Sequence, residues 1–168
     1  MPKWWHDSEY GRLLDLDPAH LRSPKAIKEW FEKEMEEDLW LFGIRTLKDD
    51  KLIGFVDLSS ASAHDDSFVG IGIGEREYWG KGYGTDAMKL VLRFGFVELG
   101  LHRVSLDVFA YNPRGVKSYE KAGFKHEGRV REMIRRDEKR YDELFMGVLR
   151  EDWLKRFTEE YNLESNIS

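Results

Sequence analysis

From Phe68 to Gly100 the chain reads FVGIGIG, then EREYWGKGYG, then TDAMKLVLRFGFVELG. A glycine-rich strand, a polar turn and the strongest helical pattern in the sequence follow one another. Ala87, Leu90, Val91, Phe94 and Val97 recur at helical spacing, and Gly100 is a fitting terminator. Gly80, Gly82 and Gly84 alternate where that helix begins. Glycines leave backbone N–H groups unshielded, and a helix N-terminus adds unpaired donors and the positive end of a dipole. Such a turn suits a phosphate or pyrophosphate, and Lys81 adds a charge. A Walker A loop fails here, because five residues separate Gly74 from Gly80 and Gly82 follows Lys81. A Rossmann fingerprint is formally present as Gly82-x-Gly84-x-x-Ala87, but Glu75 to Lys81 part it from its strand.

The rest of the chain alternates helices with strands. Residues 24–38 predict an amphipathic helix that Ser23 caps, with Pro24 in its first turn and Ile27, Trp30, Phe31 and Met35 on one face. Residues 39–46 and 51–60 read as two strands around a turn at Lys48-Asp49-Asp50, and Phe68–Gly74 as a third. Arg103–Ala110 alternates like a strand, Asn112–Ala122 is a short helix closed by Gly123, and Phe124–Leu149 reads as two strands around a charged turn at Arg136–Lys139. Residues 150–160 predict a closing helix, and the last eight residues are expected to fray. The alternation implies a mixed α/β layer fold. With 168 residues and no linker or repeat, residues 1–168 are expected to form a single domain.

Composition narrows the chemistry. Lys plus Arg is 27 and Asp plus Glu is 32, a net charge of −5, which is not that of a general nucleic-acid or membrane-surface binder. There is no cysteine, hence no disulfide, no thiolate nucleophile and no Cys-based metal site. The five histidines show no ligand spacing, so no metal is expected. No apolar run approaches the ~20 residues of a membrane span. The first residues, MPKWWHDSEYGR, lack a secretory pattern, so a cytoplasmic location is expected. The basic cluster Arg129, Arg131, Arg135, Arg136, Lys139 and Arg140 alternates with acids and reads as a solvated hairpin.

The run Tyr78-Trp79-Gly80-Lys81-Gly82-Tyr83-Gly84-Thr85-Asp86-Ala87 resembles the cofactor motif of the GNAT acetyltransferase superfamily, in the branch of ribosomal-protein N-terminal and spermidine acetyltransferases. That motif is Gln/Arg-x-x-Gly-x-Gly/Ala; Gly82 and Gly84 match, while Trp79 replaces the Gln/Arg. A second segment, from Asn112-Pro113 through Ser118-Tyr119 to Gly123-Phe124, is similar to the family's second motif. The likeness runs from about Trp4 to Trp153. It implies a central, mostly antiparallel sheet flanked by helices. Members usually open with a strand before the segment that Trp4-Trp5 resembles, so that strand is expected to be missing here, or to lie upstream of the recorded start.

The resemblance also implies roles. Acetyl-CoA would be the co-substrate, with its pyrophosphate on the loop Trp79, Gly80, Lys81, Gly82, Tyr83, Gly84 and Thr85. Its pantetheine arm would pair with the family's fourth strand at Gly72, Ile73 and Gly74, where a backbone N–H polarises the thioester carbonyl. Asn112, Ser118 and Lys121 fall in the second cofactor-contacting motif. Tyr119 matches the acid that protonates the departing thiolate. A phenol (about 10) is protonated at neutral pH, and a thiol lies near 8.5. Without a cysteine to carry the acyl group, direct attack by an amine in a ternary complex is expected. Asp57 and Asp107, on strands, are candidate bases; each also reads simply as a solvent-facing carboxylate. The acceptor expected is an α-amino group of a protein, peptide or small metabolite, which needs little help to be neutral; the alternatives are a polyamine, or a non-catalytic acyl-CoA-binding module. A homodimer is expected from the resemblance.

Overall fold

The structure, a computed structural model, describes residues 3–16, 23, 25–29, 32 and 39–161. A 3-10 turn at Lys3–His6 leads into helix α1, Ser8–Leu14. Helical residues 25–29 (α2) start behind Ser23, whose Oγ accepts from the Ala26 N–H at 3.1 Å, and Ile27 is buried. The remainder of the helix expected over 24–38 lies outside the described residues, as do residues 162–168, where fraying was expected.

Six strands follow: β1 Leu39–Arg45, β2 Leu52–Ser59, β3 Asp66–Ile73, β4 Arg103–Phe109, β5 Lys125–Arg136 and β6 Lys139–Leu149. Helix α3 spans Tyr83–Arg93, α4 Pro113–Ala122 and α5 Arg150–Tyr161. The sheet order is β1-β2-β3-β4-β6-β5. Every pairing is antiparallel except β3 with β4. No strand precedes β1 among the described residues. The strand matched to the family's fourth is therefore β3. The pattern expected through Gly100 runs as α3, then a π turn over Phe94–Glu98; Gly100 takes φ +68.

Two sequence patterns fix the faces of the sheet. Val69, Ile71 and Ile73 of β3 and Val104, Leu106 and Val108 of β4 point to one face. There they pack with Met88, Val91 and Leu92 of α3, Ala122 of α4 and Trp153 of α5 to form the main core. On the other face Phe55 packs with Trp4 and Tyr10 in a smaller aromatic cluster, to which Trp5 and Leu14 add. The glycines of β3 belong to this second face. A Cβ on Gly70 would come within 2.7 Å of the Asp57 carboxylate, one on Gly72 within 2.3 Å of the Tyr10 hydroxyl, and one on Gly74 within 1.3 Å of the Trp4 ring. The chain's own side chains thus require the glycines.

The β5–β6 hairpin turns at Asp137 (φ 47) and Glu138 (φ 61), with Arg136 paired to Lys139. Two consecutive left-handed residues make the tight turn that matches strand twist. Its tip is more than a solvated charge cluster. Arg136 donates to the carbonyls of Asp15 (2.8 Å) and Leu16 (2.9 Å), and Asp137 accepts two bonds from Arg12. The hairpin therefore anchors the end of α1. No helix among the described residues is long and apolar enough to cross a membrane.

Candidate active site

β3 and β4 pair only over Asp66–Phe68 against Arg103–Ser105. Beyond that point the two strands part and leave a wedge in the sheet. A cavity of about 510 Å³ opens there. Tyr10 and Leu14 line it from α1, Ile71, Gly72 and Ile73 from β3, and residues of α3 and α4 from the opposite face. It therefore communicates with both faces of the sheet.

The wedge leaves one edge of β3 without a partner strand. The Gly74 N–H donates to the Ile53 carbonyl of β2 at 2.9 Å. Antiparallel pairing alternates, so Gly72 also points its N–H at β2, while Ile71 and Ile73 point theirs into the wedge. The donors available to a ligand are thus Ile71 and Ile73, not Gly74. The Ile73 carbonyl is already taken by the indole Nε1 of Trp79, at 2.5 Å. Trp79, standing where the family has Gln or Arg, pins the loop to the strand edge. The Arg114 guanidinium stacks on its ring, 4.0 Å from the centroid.

Gly80 (φ +70) and Gly82 (φ +92) hold the loop in left-handed turns, and a Cβ at either would meet nothing within 4 Å. Gly82 stands in the N-cap position just before α3 and, as a glycine, supplies no side-chain cap. The first N–H groups of that helix are left for a ligand, and Gly84 and Thr85 line the cavity. Arg114, Lys117 and Lys121 of α4 also line it, and no carboxylate does among the described residues. A cradle of backbone donors and three cations in a chain of net charge −5 fits a pyrophosphate-bearing co-substrate. Lys81 and Tyr83 stand beside the lining: Lys81 reaches over the Tyr78 ring, and Tyr83 meets Tyr78 edge-on at 5.2 Å.

The second motif closes the other side. Asn112 caps α4, its Oδ1 accepting from the Gly115 N–H at 3.0 Å, and it lines the cavity. Ser118 Oγ lies 2.9 Å from Thr85 Oγ1 and ties α4 to α3. Tyr119 lines the cavity one residue on, and its phenol has no hydrogen-bond partner among the described residues. Burial, helped by the charge of Asp107, pushes that phenol up to about 12.

The two candidate bases part company. Asp107 sits on the stretch of β4 that has left β3, and crowding there raises its carboxyl. Asp57 lies over Gly70 of β3, and neither it nor Asp107 is in the cavity lining. Sequence reasoning missed Glu143 of β6, only 6% exposed, whose carboxyl is raised by burial and by Asp107. The register places Glu143 opposite Phe109 and Asp107 opposite Phe145, hence both acids on one face of the sheet. It also missed Tyr10, Arg114 and Lys117. Arg114 and Lys117 were legible as the solvent-side cations of α4, whereas nothing local marks Tyr10.

Comparison with known proteins places the chain in a family. The acetyltransferase (GNAT) domain family matches residues 1–125, and the chain belongs to that family. The SPbeta prophage-derived uncharacterized N-acetyltransferase YokL of Bacillus subtilis (strain 168) is 30% identical over 142 residues, 84% of this chain and 80% of that protein. The probable N-acetyltransferase YjcK of the same organism is 34% identical over 130 residues, 76% of this chain and 71% of that protein. The fold is also that of a spermidine N-acetyltransferase from Vibrio cholerae solved with CoA and spermine. The TM-score is 0.79 at 24% identity, covering 90% of this chain and 88% of that one. The protein is an N-acetyltransferase of the GNAT fold.

Proposed function

We propose that the chain transfers an acetyl group from acetyl-CoA to a primary amine, an α-amino group of a protein, peptide or small metabolite, by direct attack with both substrates bound. One observation carries this reading: a single cavity joins the glycine cradle, the free N–H edge of β3 and the unpartnered Tyr119 phenol. Trp79 to Thr85 with Arg114, Lys117 and Lys121 hold the pyrophosphate, and Ile71 and Ile73 hold the arm and polarise the thioester carbonyl. The amine nitrogen bonds to the carbonyl carbon as the C–S bond breaks. The sulfur takes the proton of Tyr119, the amine releases one proton through water toward Asp107, which stands behind the lining, and Tyr119 regains a proton from solvent, so the count balances. A phenol near 12 yields its proton only to a strong base. The sulfur becomes such a base only as the C–S bond breaks and negative charge gathers on it. Tyr119 therefore donates late.

An α-amine (about 7.7–8.0) is roughly a tenth neutral at pH 7, so it needs only modest deprotonation. A polyamine is the second reading. Asp107 favours it, since a carboxyl close enough to raise the Tyr119 phenol suits a multiply charged amine, and the Vibrio cholerae enzyme of like fold was solved with spermine. Mass spectrometry of products from an equimolar peptide and spermidine mixture separates the two. Acetyl on the peptide α-nitrogen is expected; acetyl on spermidine alone selects the polyamine reading.

A further inference from the structure

Tyr10 is 4% exposed, and its hydroxyl is buried without a hydrogen-bond partner. Its ring lines the cavity, and its hydroxyl rests so close over Gly72 that a Cβ there would come within 2.3 Å. A buried O–H left without an acceptor is destabilising, so the fold does not retain it for stability. The ring alone does the packing, stacking on Trp4 with centroids 6.0 Å apart. Leaving the donor in place makes sense if a ligand supplies the acceptor.

We infer that Tyr10 is a further catalytic residue, whose phenol O–H donates to the thioester carbonyl oxygen of the bound acyl donor. This rests on the acetyl-CoA reading above. Gly72 lies between Ile71 and Ile73, the two residues whose N–H groups face the wedge, so a carbonyl polarised at this edge lies beside the Tyr10 hydroxyl. The atom Tyr10 lacks is an acceptor. The thioester oxygen is one, whereas an attacking amine spends its only lone pair on the carbonyl carbon. Burial also raises the phenol, which keeps its proton throughout the working pH range. Both ends of α1 are tethered, at Asp7 by Arg76 and at Asp15 by Arg136, which fixes where the hydroxyl stands.

The test compares wild type with Tyr10→Phe, using acetyl-CoA isotopically labelled at the thioester carbonyl carbon and infrared difference spectroscopy of the bound state. The carbonyl stretch is expected at lower frequency in wild type than in the variant. Turnover of Tyr10→Phe with the best amine is expected to fall about a hundred- to a thousandfold, more than acetyl-CoA affinity does, with Tm equal or higher. A common carbonyl frequency in the two proteins overturns the role of Tyr10. Unchanged turnover despite a frequency difference overturns it as a catalytic residue. Failure of wild type itself to bind acetyl-CoA overturns the acetyl-CoA reading, and the role of Tyr10 with it.

Discussion

Tyr119 owes its chemistry to what surrounds it. The residue sits on α4 between a core that strips water from its phenol and the carboxyl of Asp107, and both push its proton affinity up. Tyr119→Phe keeps the ring and its packing near Phe124, so coenzyme A affinity and Tm are expected to hold while turnover falls about a hundredfold or more. Calorimetric titration and steady-state kinetics on the same preparation check this. The pH profile follows from the direction of the shift. A donor acts while protonated, and a phenol raised to about 12 stays protonated well beyond 10. Activity should therefore not fall between pH 9 and about 10.5, as a phenol near 10 would make it. The rising limb reports the acceptor: for an α-amine it levels off soon above about 8, and for a polyamine it continues past about 10.

At the scale of elements, α1 is a short helix that holds its place by its ends. Asp7 caps it, accepting from the N–H groups of Glu9 (2.9 Å) and Tyr10 (3.2 Å), and also receives the Arg76 guanidinium from the turn before the cofactor loop. That guanidinium is the main reason the Asp7 carboxyl lies at about 2. A depressed carboxyl adds stability above its unfolded value near 4, and that contribution is lost as pH falls toward 2. Asp7→Ala is expected to cost about 1–2 kcal/mol from the lost cap. It should also weaken turnover more than coenzyme A binding, because Tyr10 and Leu14 line the cavity from α1 while the glycine turns and the α4 cations of the cradle stand on other elements. Denaturant melts and a comparison of kcat with Kd test both parts. The glycines of β3 show why such detail escapes a sequence. Gly70, Gly72 and Gly74 announce close approach, but the groups that approach, from Asp57, Tyr10 and Trp4, come from β2 and the first ten residues, and no local spacing joins them.

Across the whole molecule, what was legible was whatever the chain writes locally. The six strands, the capped helices, the cradle and the second motif each lie in a contiguous run, and their order implied the fold. What was not legible depends on strands meeting or parting. The wedge arises because β3 and β4 stop pairing after three residues each, and it decides that Ile71 and Ile73 rather than Gly74 offer free donors. Glu143 was hidden for the same reason, since it nears Asp107 only through the β4–β6 register. Charge is partitioned at this scale too: a chain of net charge −5 keeps a cavity lined by three cations. The central claim is that this cavity brings an acyl-CoA and an amine together. Thiol release from acetyl-CoA, followed with a thiol-reactive dye in the presence and absence of α-amine peptides, amino acids, aminoglycosides and spermidine, tests it most directly. The protein has no cysteine and adds no signal of its own. Release that depends on an amine, fastest with an α-amine, is the predicted result. Coenzyme A binding without release for any amine would contradict it and leave a binding module in place of an enzyme.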